Sequence, residues 1–454
     1  MAHAVDRHLV LVGFMGAGKT TLGEEVARRL GRPFLDVDRA IENAHGEIWD
    51  LFAQEGESAF RELEAGFVRD ACRAREPSVI AVGGGAVETR RLLESVDALV
   101  VHLDVDVDTA WERVQGSRRP LAQDEAEFRR RFDLRTPRYA EVAGARAHDT
   151  EGVVLAAAGI RFAPHAEVNG DAVVADAHVA ELHGVAATHL VPAGEAAKSV
   201  AEAERLWRAL ELDRGSTLVA VGGGSTTDLA GFVAATYMRG VEWIPVPSTL
   251  VGQVDAAIGG KVGIDVPEGK NLVGAFRWPT ETLVDTALLA TLPEEEQLSG
   301  LAEVVKTGLL AGEPLWDLQL EEQVRRCAAF KATICLRDPL DRGERAQLNF
   351  GHTFAHALEA AAGYRLSHGR AVALGLLAAL RLSGLDDDAK TVEGLLSPAP
   401  VTVDRDVAWA ALQRDKKVRD GRVRLVLLES PGRPRVTSEV EPERVRAALD
   451  ALIA

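Results

Sequence analysis

The sequence predicts an α/β protein in which two parallel-sheet units follow one another and a mainly helical segment ends the chain. Three observations support this prediction. Short apolar runs alternate with charged segments of helical spacing from Leu9 onward, each of the two units contains one strand that runs into three consecutive glycines, and the strand signal fades beyond about Asp285. A chain of 454 residues is also long enough for several domains.

Composition narrows the class of function. Hydrophobic residues make up 47% and charged residues 27% of the chain, which is typical of globular proteins and excludes a mostly disordered or fibrous one. Acidic residues outnumber basic ones by 69 to 52, giving a net charge of −17. A chain this acidic repels nucleic acid and anionic membranes, so we expect neither as a partner.

Cysteine usage and the apolar runs indicate a soluble cytoplasmic protein. The three cysteines Cys72, Cys327 and Cys335 are odd in number and lack the CxxC spacing of metal sites, which favours a reducing compartment. The first ten residues lack the apolar region of a signal peptide. The apolar stretch from Ala371 to Leu380 spans ten residues, whereas a membrane helix needs about twenty.

A phosphate-binding loop follows the first predicted strand. Residues 13–20, GFMGAGKT, satisfy GxxxxGK[ST] between a strand and a helix. The glycines let backbone N–H groups face phosphate oxygens, the lysine reaches the terminal phosphates and the threonine hydroxyl is a ligand for Mg²⁺. We therefore expect ATP with Mg²⁺ to be bound by Gly13, Gly16, Gly18, Lys19, Thr20 and Thr21. The alternative, a glycine-rich turn that binds nothing, fits this full pattern less well.

The segments after this loop supply carboxylates and arginines. Asp36 and Asp38 stand two residues apart where a strand ends, so one carboxylate is placed for a metal and the other for a substrate hydroxyl. Arg61, Gly84, Arg119 and Arg135 follow in the segments GESAFRELE, GGG, RRPL and LRTPRY. Taken one at a time, these residues fit an ordinary protein surface equally well.

Taken together and in order, GFMGAGKTT, FLDVD, GESAFRELE, GGG, RRPL and LRTPRY closely resemble shikimate kinase over residues 7–150. The resemblance implies that Asp38, Arg61 and Gly84 hold shikimate and that Arg135 binds its carboxylate. It further implies that Asp36 assists the metal with Thr20, and that Arg119 closes over the transferred phosphate. A planar carboxylate favours a bidentate arginine, so these residue types suit the acceptor.

The periodic pattern loosens over residues 145–170, where ARAHDTEGVVLAAAGIRFAPHAEVNG opens no obvious amphipathic helix. We place a domain boundary there and predict a P-loop kinase domain over residues 1–155. After it we predict a Rossmann-like, NAD-binding α/β part over residues 165–285. A helical part that binds metal and substrate would follow over residues 286–454. The first strands of the second unit look shortened, and the charged helix that normally ends a shikimate kinase is missing from the pattern.

Two features of the second unit suggest a nucleotide and a metal. Gly222, Gly223 and Gly224 end a strand and begin a helix, a turn suited to phosphate although it lacks the GxGxxG spacing. His352 and His356 share one helical face, and with Glu303 and His368 they form a donor set suited to zinc. Spacing alone leaves a metal site and ordinary structural histidines both open.

The series GEAAK, GGGSTTDLAGF, YMRG, PSTLVGQVDAAIGGKVGID, GKNLVGAF, GLAEVVKTGLL, LNFGHTFAHALE, HGRAVALG and RDKK resembles 3-dehydroquinate synthase throughout residues 171–454. The resemblance implies a recycled NAD, a Zn²⁺ or another divalent ion such as Co²⁺, the seven-carbon sugar acid phosphate DAHP as substrate, and a homodimer formed through this domain. The implied metal ligands are Glu303, His352 and His368.

The remaining implied roles fall on many residues. The NAD contacts would be Glu195, Lys198, Gly222, Gly223, Gly224, Ser225, Asp228, Ser248, Thr249, Lys261 and Lys270. The substrate contacts would be Arg239, Asp255, Lys261, Lys270, Asn271, Lys306, Lys331, Arg345, Asn349, His356 and Lys416. Among all of these, Lys261, Lys306, Arg345 and His356 would take part in catalysis together with Lys19, Asp38 and Arg119 of the kinase.

Two residues depart from the synthase pattern. His178 stands where the family usually has Asn, and Asp341 stands where it usually has Glu. Our leading hypothesis is a bifunctional enzyme of aromatic amino-acid biosynthesis that converts DAHP to 3-dehydroquinate and phosphorylates shikimate. Two alternatives remain: the second half is a metal-dependent polyol dehydrogenase, or one half is a non-catalytic partner.

Overall fold

A computed structural model describes residues 4–116, 124–165, 168–414, 418–419 and 422–454. The chain divides into two compact units, one that ends at Ile160 and one that begins at Arg161. No helix among the described residues combines the length and the apolar character needed to cross a membrane.

The first unit is a five-stranded parallel sheet with helices between its strands. Its strands are β1 (His8–Val12), β2 (Phe34–Asp36), β3 (Val79–Ala81), β4 (Ala98–Leu103) and β5 (Ala145–Ala147). Its helices are α1 (Lys19–Leu30), α2 (Val37–His45), α3 (Ile48–Cys72), α4 (Arg90–Ser95), α5 (Val107–Val114), α6 (Glu125–Val142) and α7 (Thr150–Ala157). The strand order is β2-β3-β1-β4-β5.

Burial explains why this sheet forms from the apolar runs. Every residue of β1 is buried, because the strand pairs with β3 on one side and β4 on the other and is covered by helices on both faces. The carboxyl ends of β1 and β2 therefore lie on one edge of the sheet. This edge holds the phosphate loop and the two aspartates after Leu35.

Helix α7 corrects an expectation from the sequence. The segment after Asp149 was expected to lack a helix, but it forms α7, and Asp149 caps it by accepting a hydrogen bond from the Gly152 N–H at 2.7 Å. Val153 and Val154 are fully buried. The helix is too apolar all round to show an amphipathic pattern, which is why the sequence did not reveal it.

The second unit begins with an α/β part. It contains the strands β6 (Ile160–Phe162), β7 (Ala172–Asp176), β8 (His189–Val191), β9 (Thr217–Gly222), β10 (Glu242–Pro247), β11 (Lys261–Val266), β12 (Gly269–Phe276) and β13 (Thr282–Val284). Its helices are α8 (Ala177–His183), α9 (Val200–Ala209) and α10 (Gly224–Thr236). The order β10-β9-β7-β8 forms a parallel sheet, β11 and β12 form an antiparallel hairpin, and β6 pairs with β13.

The rest of the second unit is mainly helical, as predicted. Its helices are α11 (Glu294–Ala311), α12 (Leu320–Arg337), α13 (His352–Ala361), α14 (His368–Ser383), α15 (Asp386–Leu396), α16 (Arg405–Arg414) and α17 (Pro442–Asp450). The sequence analysis missed short strands here: β14 (Val418–Arg419) pairs with β15 (Arg422–Val423), and β16 (Leu425–Ser430) pairs with β17 (Arg433–Thr437). The apolar run in β16 joins the core around α14 instead of forming a further helix.

Candidate active sites

The phosphate loop of the first unit is built by three glycines with positive φ, at 154° for Gly13, 86° for Gly16 and 83° for Gly18. A Cβ on Gly16 would lie 2.5 Å from the backbone oxygen of Ala110, so the loop accepts no side chain there. Lys19 Nζ donates to the Gly13 carbonyl at 2.8 Å, which holds the ammonium group over the loop. The loop can therefore present backbone N–H groups and one cation to a polyphosphate.

The two predicted Mg²⁺ ligands, Thr20 and Asp36, lie in direct contact. Thr20 Oγ1 donates to Asp36 Oδ2 at 2.6 Å. Asp36 also caps α2 through the Arg39 N–H, which fixes its carboxylate at the end of β2. A hydroxyl and a carboxylate held at this distance suit a hard cation such as Mg²⁺.

A cavity of about 890 Å³ opens beside the loop. Its lining includes Gly18, Thr21, Arg113 and His148. Arg113 donates to the Gly16 carbonyl at 3.0 Å, so the cavity wall is tied to the loop.

The predicted acceptor residues meet on the other side of the loop. A Cβ on Gly83 would lie 2.7 Å from Asp38 Oδ1 and 2.5 Å from Glu64 Oε1, so the bare backbone at Gly83 admits both carboxylates. Glu64 is fully buried and accepts from Arg61 Nη1 at 2.7 Å. Burial raises the pKa of Glu64 although Arg61 acts in the opposite direction. Glu64 thereby orients the guanidinium of Arg61.

Arg135 lies at the same site but is already engaged. It is largely buried, and its Nε lies 3.3 Å from Glu88 Oε1, while Arg138 holds Glu88 Oε2 at 2.6 Å. The hydroxyl of Tyr139 donates a hydrogen bond to the Gly84 carbonyl. The structure thus brings together Asp38, Arg61, Gly84 and Arg135. Arg119 lies outside the described residues.

In the second unit the turn of three glycines precedes α10, as expected. Gly222 has a φ of 156°, and a Cβ there would lie 2.7 Å from Thr226 Oγ1. The turn brings Ser225 into the first turn of α10, and Ser248 and Thr249 follow the end of the neighbouring strand β10. The Oγ of Ser248 is buried without a hydrogen-bond partner among the described residues. A bare glycine turn beside an unsatisfied hydroxyl fits a dinucleotide phosphate.

Predicted NAD contacts and one predicted substrate contact, Asn271, converge on Lys198. Its Nζ lies 2.6 Å from Asp228 Oδ2 and 2.5 Å from Asn271 Oδ1. Lys198 is buried, and the opposing effects of desolvation and the Asp228 charge leave its pKa raised. The preceding residue on β12, Lys270, pairs with Glu195 at 3.3 Å. The hairpin β11–β12 therefore carries polar groups to the same region as the start of α10.

The predicted metal ligands form one cluster. One donor atom from each of Glu303, His352 and His368 lies within 4.8 Å of the others, and among the described residues they are the group that meets this geometry. Nε2 of His352 lies 3.4 Å and Nε2 of His368 lies 3.1 Å from Glu303 Oε1. The far nitrogens are held as well, Nδ1 of His352 by the Phe350 carbonyl at 3.2 Å and Nδ1 of His368 by Glu359 at 3.2 Å.

This cluster fits a divalent ion of the zinc type. Two imidazoles with held Nδ1 atoms point Nε2 toward a buried carboxylate, which is the donor set of catalytic zinc sites with an open position. Burial opposes charge on His368, but hydrogen bonds to Glu303 and Glu359 outweigh it and raise the pKa of His368 to about 10. The surroundings therefore favour a positive charge between the carboxylates, which a bound metal would supply.

A buried charge network adjoins the candidate metal ligands. Lys306 lies one turn after Glu303 on α11 and forms an ion pair with its carboxylate. Lys306 Nζ also lies 3.5 Å from Asp255 Oδ1, and Lys331 Nζ lies 3.0 Å from the same oxygen. Burial raises the pKa of Asp255, but the two lysines outweigh this and leave it lowered. Two cations are thus fixed beside the candidate metal centre.

The remaining predicted substrate residues contact partners outside this charge network. Lys261 pairs with Asp341, and Arg345 is buried and donates to the Gly259 carbonyl at 2.8 Å. Asn349 donates to the Ala346 carbonyl, and His356 stacks edge-on against His352 at 5.5 Å between ring centroids. Lys416 lies outside the described residues.

Arg239 lies beyond the end of α10 that is opposite the glycine turn. It follows the C-terminal end of α10, a helix of 13 residues whose first residues form the glycine turn. At about 1.5 Å per residue, the helix separates Arg239 from that turn by about 18 Å. Arg239 is exposed and, with Met238, adopts a positive φ. The sequence motif does not reveal this separation.

Sequence reasoning missed three site residues. They are carboxylates that contact predicted site residues: Glu64 contacts Arg61, Glu88 contacts Arg135 and Glu359 contacts His368. The sequence distance between such partners depends on the fold. The three-residue step from Arg61 to Glu64 on α3 is a signal that was available, because residues three apart on a helix are neighbours. The other two contacts join residues 47 and 9 positions apart.

The geometry defines two classes of enzyme along one chain: a P-loop phosphotransferase, then a nucleotide-dependent enzyme with a buried centre for a divalent ion. The shikimate kinase family matches residues 15–158, and the N-terminal and C-terminal 3-dehydroquinate synthase families match residues 188–299 and 300–418. The chain belongs to the 3-dehydroquinate synthase family and carries a shikimate kinase domain ahead of it. The predicted fusion of kinase and lyase is confirmed.

The chain spans most of the length of its curated relatives. It is 42% identical over 323 residues to the 3-dehydroquinate synthase of Symbiobacterium thermophilum, covering 62% of this chain and 89% of the relative. A solved structure of ValA, a 2-epi-5-epi-valiolone synthase from Streptomyces hygroscopicus with NAD⁺ and Zn²⁺ bound, matches with a TM-score of 0.54 at 26% identity, covering 64% of this chain and 96% of that one. A 2-deoxy-scyllo-inosose synthase matches in fold with a TM-score of 0.57 at 24% identity, covering 64% and 96%.

Proposed function

We propose that the first unit transfers phosphate from ATP to shikimate and that the second converts DAHP to 3-dehydroquinate with elimination of phosphate, each at the site described above. The observation that carries the proposal is that two candidate ligand sets occur in one chain: the loop with Thr20 and Asp36, and the cluster of Glu303, His352 and His368. The roles below are proposals for these residues.

In the kinase, Lys19 and the loop N–H groups would hold the phosphates, while Thr20 and Asp36 would hold Mg²⁺. Arg61 and Arg135 would bind the shikimate carboxylate, since the guanidinium of Arg61 lies against Gly85 and that of Arg135 lies beside the Gly84 carbonyl. Asp38 would accept a hydrogen bond from the attacking hydroxyl and take its proton. Phosphoryl transfer depends mainly on positioning and on positive charge around the phosphate, which these residues supply.

In the synthase, Glu303, His352 and His368 would hold the metal, and the turn at Gly222 with Ser248 and Lys198 would hold NAD. When bound, the metal ion polarises a substrate hydroxyl and NAD accepts and returns the hydride. Lys306 and Lys331 would bind the anionic groups of DAHP, and His356 would move protons at the open face of the cluster. Zn²⁺ is the ion we propose from the donor set, and Co²⁺ shares its geometry.

Paired assays on the purified chain test this proposal. We expect metal-dependent release of phosphate from DAHP without net NADH, and ATP-dependent phosphorylation of shikimate. Removal of metal with a chelator should abolish the first activity and leave the second once Mg²⁺ is restored. If Lys19→Ala keeps full kinase activity, or if His352→Ala keeps full synthase activity, the site assigned to that reaction is wrong.

The polyol dehydrogenase alternative predicts net NADH formation from glycerol-like alcohols, which the same assay would detect. The matches to both 3-dehydroquinate synthase families disfavour it. The non-catalytic alternative rests on an absent helix after Thr150 and on shortened strands near Gly170, and α7 removes the first of these two observations.

The separation of Arg239 from the glycine turn supports the proposal of a homodimer. We propose that Arg239 contacts substrate in the site of a second copy, because α10 separates it from the glycine turn of its own chain. Mixing Arg239→Ala with His352→Ala subunits tests this. Mixed dimers would contain one intact site and restore about a quarter of the wild-type synthase activity, whereas action within one chain would restore none. The cytoplasmic location stays a prediction.

A further inference from the structure

The side chain of Glu359 lies behind the candidate metal centre. It stands on α13 seven residues after His352, so it occupies the same face of the helix two turns further on. The residue is buried, with 7% of its surface exposed. It is not among the residues whose donor atoms converge on the cluster, so any action on the metal passes through another side chain.

That side chain is His368. Its Nδ1 lies 3.2 Å from Glu359 Oε1, and its Nε2 lies 3.1 Å from Glu303 Oε1. An imidazole that donates a proton from Nδ1 to a carboxylate presents the lone pair of Nε2 to a metal. The contact therefore selects both the tautomer and the orientation that ligation requires.

The two histidines of the cluster are held by acceptors of different kinds. Nδ1 of His352 faces the backbone carbonyl of Phe350, which is neutral and fixed by the start of α13. Nδ1 of His368 faces the buried side-chain carboxylate of Glu359. A carboxylate acceptor makes the imidazole a stronger electron-pair donor to a metal than a backbone carbonyl acceptor does.

We propose that Glu359 is a positioning residue for metal binding, which fixes His368 through Nδ1 and increases the affinity of the cluster for Zn²⁺. This inference rests on the proposed function of Glu303, His352 and His368 as metal ligands. Groups that support a metal ligand in this way usually change the affinity by 10- to 100-fold.

Metal affinity measured without turnover tests the proposal. The full chain is freed of metal and titrated with Zn²⁺ against a chromophoric chelator, and separately with Co²⁺ while the visible absorption of the ion is recorded. We expect Glu359→Ala to bind Zn²⁺ about 10- to 100-fold more weakly. We expect Glu359→Gln, which keeps an acceptor but loses the charge, to lie between that variant and wild type and to shift the Co²⁺ spectrum.

Controls separate positioning from general damage. Glu393→Gln changes an acidic residue of the same unit that pairs with Arg381 on the surface, and it should bind Zn²⁺ as wild type does. Glu359→Asp should recover part of the affinity. If Glu359→Ala does not fold, the isosteric Glu359→Gln decides the question.

The outcomes are distinct. Wild-type affinity and an unchanged Co²⁺ spectrum in Glu359→Gln, together with affinity within twofold of wild type in a folded Glu359→Ala, would overturn the role of Glu359 alone. A wild-type chain that binds neither Zn²⁺ nor Co²⁺ would instead overturn the proposed metal site on which the inference rests.

Discussion

The ammonium group of Lys306 lies 3.5 Å from Oδ1 of Asp255, and Lys306 also pairs with the proposed metal ligand Glu303. Lys306 has 1% of its surface exposed and Glu303 has none. Charges removed from water in this way are tolerated only when they are paired. The predicted catalytic lysine is therefore also part of what stabilises the second unit.

Lys306→Met should destabilise the second unit strongly. The variant keeps the volume of the side chain but leaves two carboxylates without their shared cation, and breaking a buried pair from one side usually costs about 3–5 kcal/mol. Equilibrium denaturation of the metal-free chain measures the effect. Lys390→Met is the matched control, since Lys390 pairs with Asp387 at the surface and its loss should leave stability unchanged. Equal stability of the two variants would contradict the role assigned to Lys306.

The lowered pKa of Asp255 predicts a loss of stability in acid. The folded-state pKa lies below the unfolded value of about 3.9, so the ionised group stabilises the fold above that value. This contribution is lost as the pH falls through the folded-state pKa. Asp255→Asn should therefore lose less stability than wild type between pH 7 and pH 3 in denaturation experiments. Parallel pH profiles for the two proteins would rule this out.

The two reactions should fail independently. Lys19→Ala removes the cation held over the phosphate loop and should lower the kinase rate by about 10²- to 10³-fold, with the synthase rate unchanged. His352→Ala removes a proposed metal ligand and should abolish the synthase reaction with the kinase rate unchanged. Both rates are measured on each purified variant, and a variant that loses both activities would show that the sites are not separate.

Residues within one motif were predictable from sequence because a local turn or helix places them. The loop from Gly13 to Thr20 is one example. His352 and His368 also followed the pattern, since each begins a helix. Contacts between distant segments were not predictable: Glu88 meets Arg135 across 47 positions because α6 packs beside the turn after β3. Arg239 shows the converse, since a motif gives a residue type but not the end of the helix on which it lies.

Glu88 should compete with shikimate for Arg135. Its Oε1 lies 3.3 Å from Arg135 Nε, and a substrate carboxylate bound by that guanidinium would meet the same atom. Glu88→Gln removes the competing charge and should lower the KM for shikimate about two- to fivefold, with the KM for ATP unchanged.

Arg138 is a second partner of Glu88 and should therefore affect this competition. It holds the other oxygen of Glu88 at 2.6 Å, so Glu88 can stay bound to Arg138 when Arg135 turns to the substrate. Arg138→Ala should therefore leave Glu88 with Arg135 as its remaining partner in this cluster and raise the KM for shikimate. Glu125→Gln, on the exposed start of α6, is the control and should leave both KM values unchanged. A higher KM in Glu88→Gln would mean that Glu88 orients Arg135 for the substrate, because loss of an orienting partner weakens binding whereas loss of a competitor strengthens it.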